Sequence, residues 1–233
     1  MRRETYTDRE SLSLAAAKNI HALLRENPTA KLCLATGGSP QRTYELLVEL
    51  NQNGGNVFSS AKLIKLDEWG GLDANHPATC EYYLRERLLK PLNIEAHQYI
   101  GFKSDAKEPQ LECERVEREL DSIGPIDLCI LGLGANGHLG FNEPAEQLTP
   151  LVHVAKLAAM TQNHPMVDAM SDKPKYGMTL GMANILQSKK IMMLVSGEHK
   201  KDQLRRLFEQ RVDSQFPASF LWLHCDVTVY SDI

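Results

Sequence analysis

Short apolar runs alternate along the chain with longer stretches whose apolar residues recur every three or four positions. Residues 31–35 (Lys-Leu-Cys-Leu-Ala), 61–66 (Ala-Lys-Leu-Ile-Lys-Leu) and 190–195 (Lys-Ile-Met-Met-Leu-Val) each read as a buried strand. So does the start of 126–144, which continues Ile-Asp-Leu-Cys-Ile-Leu into a glycine-rich loop. Between them, helical spacing predicts a helix over 11–27 from Leu12, Ala16, Ile20, Leu23 and Leu24, stopped by Asn27-Pro28. A second helix follows 36–39, with Ser39 as N-cap, Pro40 in the first helical position, and Tyr44, Leu47 and Val48 as its apolar stripe. Residues 51–56 read as a loop, 79–89 as a helix packed through Tyr82, Tyr83 and Leu88, and 111–122 as a charged, solvated helix.

Further on, 151–157 reads as a strand carrying His153, and 161–170 as a weak helix carrying His164. Residues 175–186 read as a buried helix, because Met178, Met182 and Leu186 recur at intervals of four. Leu204, Leu207 and Phe208 mark another helix, 216–223 packs near the end, and 227–230 closes the chain as an edge strand. Strand and helix alternating throughout predict an α/β fold: a doubly wound, mainly parallel sheet with helices on both faces, in one domain over 1–233.

Four of these strands end in polar turns, and in a parallel sheet those ends share one edge. Gly37, Gly38 and Ser39 open a helix, and its unpaired amides suit an anion, although many strand-to-helix turns look alike. Asp67 and Glu68 follow the second strand; as chain neighbours they point apart, so one of them reaches a shared site. The central loop presents Asn136, His138, Asn142 and Glu143 among Gly132, Gly134, Gly137 and Gly140. Residues 196–200 end in Lys200, whose place beside a glycine at a helix start fits a phosphate contact better than a Schiff base. The spacing of Gly132, Gly134 and Gly137 also satisfies a dinucleotide fingerprint. The loop runs on into His-Leu-Gly-Phe-Asn-Glu-Pro instead of a long helix, however, and no acidic residue follows about 20 positions on.

Composition narrows the class. The formal charge of -4 gives no footprint for nucleic acid or an anionic membrane. No apolar run approaches the roughly 18 residues of a membrane span, and the charged stretch 1–13 is no signal peptide. Five scattered cysteines without a Cys-x-x-Cys predict reduced thiols in a cytoplasmic protein, and no histidine spacing suggests a metal site.

The motifs Leu-Ala-Thr-Gly-Gly-Ser-Pro (34–40), Leu-Asp-Glu-Trp-Gly-Gly-Leu (66–72), Leu-Gly-Leu-Gly-Ala-Asn-Gly-His-Leu-Gly-Phe-Asn-Glu-Pro (131–144) and Pro-Ala-Ser-Phe-Leu-Trp-Leu-His (217–224) resemble the glucosamine-6-phosphate deaminase family. They are most similar to its galactosamine-6-phosphate isomerase/deaminase branch. The wider superfamily includes 6-phosphogluconolactonases, from which Asn142-Glu143-Pro144 separates the deaminases. The resemblance implies an aldose-to-ketose isomerisation of a small-molecule sugar phosphate with loss of ammonia from C2, without metal or cofactor. It implies Asp67 as the base between C2 and C1, and His138 as the group that opens the pyranose ring. Glu143 and Asn136 would orient His138, and Gly37, Gly38 and Ser39 with Lys200 would hold the 6-phosphate.

Three departures from the family pattern bear on this. Asn136 stands where many members have aspartate. Around Asn163 and His164 an arginine that binds phosphate is replaced, leaving His164 at most one hydrogen bond to give. The chain also ends soon after its last strand, so activation by an N-acetylated sugar phosphate is not expected. The family contains monomers and hexamers, which leaves a homo-oligomer within its range. Galactosamine 6-phosphate is the expected substrate. Glucosamine 6-phosphate, 6-phosphogluconolactone hydrolysis and a non-catalytic sugar-phosphate sensor are the alternatives, the last disfavoured by the intact acid/base set.

Overall fold

A computed structural model of the chain describes residues 1–168, 170 and 173–233. In chain order its elements are β1 (Arg2–Thr5), α1 (Arg9–Glu26), β2 (Lys31–Leu34), α2 (Gly38–Gly54), β3 (Lys62–Lys65) and β4 (Asp67–Gly70). Next come α3 (Cys80–Leu84, prolonged by one wider turn over Arg85–Leu89), β5 (Tyr99–Ile100), α4 (Pro109–Ile123), β6 (Leu128–Gly132), β7 (His153–Lys156) and α5 (Ala159–Gln162). The chain closes with β8 (Tyr176–Thr179), α6 (Met182–Leu186), β9 (Lys190–Val195), α7 (Lys201–Leu207) and β10 (Val227–Ser231).

Seven strands form one parallel sheet in the order β1-β10-β9-β6-β2-β3-β5. Successive side chains of a strand point to opposite faces, so each apolar run feeds two cores. Leu32, Leu34, Leu63, Leu128, Ile130, Met192 and Leu194 pack on one face against Leu12 and Ile20 of α1 and Tyr44 and Leu47 of α2. Cys33, Ile64, Cys129, Leu131, Ile191 and Met193 face the other way, against Cys113 and Val116 of α4 and Leu204 and Leu207 of α7. The expected mainly parallel sheet, covered on both faces, is present. No helix among the described residues is long and apolar enough to cross a membrane.

A second sheet, β4-β8-β7, is antiparallel and was not expected. It accounts for the main corrections. Asp67 and Glu68 lie in β4, not in a turn, and pair in register with Thr179 and Met178. Residues 175–186 are not one helix: β8 occupies the first part, and only Met182–Leu186 is helical, after Gly181. The four-residue spacing of methionines arises because a strand with two ladder partners buries Met178 and a separate short helix buries Met182. At Gly177 a Cβ would lie 2.3 Å from the Phe141 ring, so glycine lets the strand close on that ring.

Other differences are local. The strand at 227–230 is interior, because β1 pairs outside β10 and forms the sheet edge. Its Arg-Arg-Glu-Thr sequence is exposed and hides that role. Helix α2 continues to Gly54, over the first four residues of the segment read as a loop. Its N-cap is Gly37, not Ser39, and no side chain caps it, so Ser39 and Pro40 lie inside the first turn. Of the weak helix at 161–170, only the end of α5 is helical, and residue 169 lies outside the described residues.

Gly181 is fixed by contact. A Cβ there would meet the backbone oxygens of Leu151 at 2.2 Å and Pro150 at 2.3 Å, neither of which can rotate away. Gly181→Ala is expected to lower denaturation stability by about 2 kcal/mol or more. Gly38→Ala, which meets nothing within 4 Å, should change it by less than about 0.5 kcal/mol. Equal midpoints for the two variants would refute this packing account.

Candidate active site

The carboxyl end of β2 passes through Ala35 and Thr36 to Gly37, whose φ of 97° is a left-handed value that glycine adopts without strain. Helix α2 then starts with its first amides free of any side-chain cap, a natural anion site. The carbonyls of this turn are held by donors from other elements. The Tyr44 hydroxyl donates to Ala35 (2.8 Å), the Tyr83 hydroxyl to Gly37 (2.7 Å), and the Arg9 guanidinium to Gly38 (2.7 Å).

Where the chain leaves the parallel sheet, alternation along β4 sends its two carboxylates to different places. Glu68 is fully buried. Its Oε1 accepts the backbone N–H of Trp69 and Cys80, each at 2.8 Å. Its Oε2 accepts the Glu81 N–H (2.8 Å) and the ammonium of fully buried Lys65 (2.7 Å). Lys65 completes its shell with Glu81 (2.7 Å) and the Phe102 carbonyl (2.8 Å). Burial alone would lower its pKa, but Glu68 and Glu81 outweigh that and hold it above the ordinary lysine value.

Asp67 is 8% exposed and faces the cleft. Its carboxylate accepts a long hydrogen bond from the Cys80 thiol, at 3.9 Å. Burial, helped by the charge of Glu68, pushes its pKa up to about 7, against opposing effects of Lys65 and Cys80. Gly140, at φ 57°, lets the central loop approach; a Cβ there would stand 2.6 Å from the Thr179 hydroxyl and 3.5 Å from Asp67 Oδ2.

The central loop carries His138 and Glu143. The His138 ring lies over Gly134, where a Cβ would be 2.3 Å from it. Its backbone N–H donates to Asn136 Oδ1 at 3.1 Å. His138 Nδ1 is 3.4 Å from Glu143 Oε2, a charge contact without the alignment of a hydrogen bond. Asn136 donates to that same Oε2 at 2.9 Å, and Thr161 donates to Oε1. Burial would raise the Glu143 pKa, but His138, Thr161 and Asn136 overcome this and hold it below the ordinary range. Asn142 is structural: its amide donates to the carbonyls of Leu139 and Leu180, each at 2.8 Å.

Lys200 extends its ammonium to the Leu133 carbonyl at 2.7 Å, and burial lowers its pKa. The His164 ring faces Gly37, about 3.8 Å from where a Cβ would sit there, and lies tilted by 42° against Trp69 at 6.0 Å between centroids. Burial, then the nearby His138 and Lys200, hold its pKa below the ordinary histidine value.

Gly37, Gly38, Ser39, Asp67, His138, His164 and Lys200 line one cleft of about 460 Å³, whereas Asn136, Asn142, Glu143, Glu68 and Lys65 do not. Asn136 and Glu143 stand directly behind its His138. The four strand-end segments therefore converge as the parallel topology requires, and Glu68 points away from the cleft as the alternation argument expects. Sequence reading missed Arg9, Cys80 and Thr161. Thr161 lies in an element with almost no periodic signal, and Arg9 reads as an ordinary first-turn residue of α1. Among the described residues, no three His, Cys, Asp or Glu side chains are grouped to hold a metal ion.

The architecture is that of the 6-phosphogluconolactonase fold. The Thermotoga maritima 6-phosphogluconolactonase structure superposes with a TM-score of 0.76 at 19% identity, covering 98% of this chain and 96% of that one. Within that fold the chain belongs to the family described as glucosamine-6-phosphate isomerases/6-phosphogluconolactonase, whose model matches residues 8–230. It is 42% identical over 221 residues to the Escherichia coli (strain K12) protein named "Putative deaminase AgaI", covering 95% of this chain and 86% of that protein. It is 36% identical to glucosamine-6-phosphate deaminase 1 of Bacillus subtilis (strain 168), covering 96% and 93%. A solved monomeric glucosamine-6-phosphate deaminase has a TM-score of 0.92 at 35% identity, covering 99% and 97%.

The raised pKa of Asp67 makes stability depend on pH. Folding favours its protonated form, so between about pH 4 and pH 7 the folded state binds the extra proton and stability falls as pH rises. Asp67→Asn removes the buried charge. It should exceed the wild type at pH 8 by a few kcal/mol in order of magnitude, with the gain shrinking to nothing near pH 4. Denaturant titrations across that range test it, and a pH-independent difference would refute it.

Proposed function

We propose that this chain is an amino-sugar-6-phosphate deaminase, converting a 2-amino-2-deoxyhexose 6-phosphate and water into the 2-ketohexose 6-phosphate and ammonia. The observation that carries the reading is the meeting, in one cleft, of a buried carboxylate, a His–Glu pair and an uncapped helix N-terminus with a lysine. Family membership and the glucosamine-6-phosphate deaminases at 35–36% identity support it.

As the pyranose opens, His138 carries the proton of the O1 hydroxyl to the ring oxygen and C1 becomes the aldehyde. Glu143 orients the imidazole and balances its charge, and Asn136 and Thr161 fix Glu143. Asp67 then takes the C2 proton, leaving an enolamine across C1 and C2, and returns a proton to C1. The resulting C2 imine adds water and expels ammonia. A carboxylate with a pKa near 7 can both take and return that proton near neutrality. The turn at Gly37, Gly38 and Ser39, with Lys200 and His164, holds the 6-phosphate and sets the depth of C2 relative to Asp67.

We assign galactosamine 6-phosphate, giving tagatose 6-phosphate, as the preferred substrate. The support is the motif likeness to that branch and the histidine at 164, which changes the phosphate surroundings. Glucosamine 6-phosphate is the second reading, favoured by the named relatives. The lactonase likenesses, under 25% identical, bear on the fold alone.

Ammonia release from the two amino sugars, measured side by side, decides between them. Faster turnover of the galacto sugar is expected; faster turnover of the gluco sugar would keep the chemistry and overturn the epimer. Release from neither would overturn the deaminase reading. In deuterated water, Asp67→Asn should lose exchange at C2 by about 10³-fold or more while retaining substrate binding. The wild-type kcat/KM should rise with pH through an ionisation near 7 as Asp67 becomes the free base.

A further inference from the structure

We propose that Arg9 is a phosphate-binding residue of this cleft, a guanidinium supplied from α1 to the turn at Gly37, Gly38 and Ser39. This deepens the reading above and takes from it that the anion is a sugar phosphate. Among the described residues no other arginine lines the cleft.

The charge count motivates it. A phosphate at neutral pH carries between one and two negative charges. Of the other basic side chains at that pole, His164 is a histidine whose pKa burial lowers, and Lys200 is half-buried with one ammonium donor already on the Leu133 carbonyl. Arg9 adds a guanidinium with donors in a planar fork.

Its placement is built. Asp8 caps α1, accepting the Ser11 N–H at 2.7 Å, while the Ser11 hydroxyl accepts the Asp8 N–H at 3.3 Å. Arg9 is therefore the first residue of a capped helix. The neighbouring Glu10 is taken by Arg42 of α2 through two bonds of 2.8 and 2.9 Å, which ties the two helix starts together. Among the described residues Arg9 has no carboxylate partner in ion-pair range; its one bond, 2.7 Å from Nη2 to the Gly38 carbonyl, leaves further donors free. A guanidinium anchored to the carbonyl side of a turn whose amides face an anion can clamp that anion in fork geometry.

Isothermal titration with inorganic phosphate, alongside steady-state kinetics on the amino sugar 6-phosphates, tests this on wild type, Arg9→Gln and Arg9→Lys. Arg9→Gln should weaken phosphate binding and raise KM by about tenfold or more, with kcat within about threefold. Arg9→Lys should recover part of the affinity, since it restores the charge without the fork. Unchanged phosphate affinity in Arg9→Gln would overturn the proposal. So would a loss of thermal stability and kcat with phosphate binding intact, which would make Arg9 a prop for Gly38 alone. A wild type that binds phosphate through Arg9 but releases no ammonia would uphold Arg9 and overturn the deaminase reading. A wild type that binds no phosphate would overturn the Arg9 proposal, and the deaminase reading with it only if no ammonia were released either.

Discussion

The buried pair of Lys65 and Glu68 is the constraint on which the rest of the site depends. Two full charges inside a protein are costly, and they persist only when the lost hydration is replaced. Here replacement is complete: Lys65 has three acceptors and Glu68 four donors. Those partners come from β3, β4, α3 and the segment after β5, so satisfying one pair fixes four pieces of chain. Removing Lys65 would leave Glu68 buried without its counter-charge, a change typically costing about 3–5 kcal/mol, whereas removing Glu68 would leave Lys65 paired with Glu81 alone.

The geometry that follows is what the chemistry uses. Because Glu68 accepts the first amides of α3, the chain after Leu66 turns out of the parallel sheet and begins a second one. The cleft lies along the junction between the two sheets, and Asp67, one residue from the ion pair, is delivered to its floor. The same pair works against itself at Asp67, since Glu68 raises its pKa and Lys65 lowers it. Burial decides the outcome, as the largest effect on a carboxylate that the two neighbouring charges pull in opposite directions.

Much of this is legible in the sequence, for a definite reason. Parallel strands buried on both faces read as unbroken apolar runs, and a parallel sheet sends all their carboxyl ends to one edge, so Asp67, His138 and Lys200 could be expected together. The antiparallel sheet was not legible. Its strands are four residues long, β8 contains a glycine and one methionine, and ladder pairing with distant residues overrides a spacing that suits a helix. The sheet edge at β1 was hidden for the opposite reason, because an exposed edge strand needs no apolar residues at all. Arg9 escaped notice because nothing local distinguishes it; only the packing of α1 on α2 brings it to Gly38.

Two carboxylates in one site, displaced in opposite directions, divide the work between them. Glu143 accepts from Asn136 and Thr161 and stands beside His138, and those contacts keep it ionised below the ordinary range. Asp67 has a thiol for company and titrates near 7. A carboxylate held ionised is a poor proton carrier and a good fixed counter-charge. One that titrates near neutrality can take a proton and return it without a large penalty either way. Asn136 fits this division: as a donor to Glu143 it reinforces the ionised state, whereas an unprotonated aspartate in its place would add a second negative charge and no donor. Among the described residues Glu143 is thus the carboxylate in contact with His138, and the proposed reaction leaves proton transfer to Asp67.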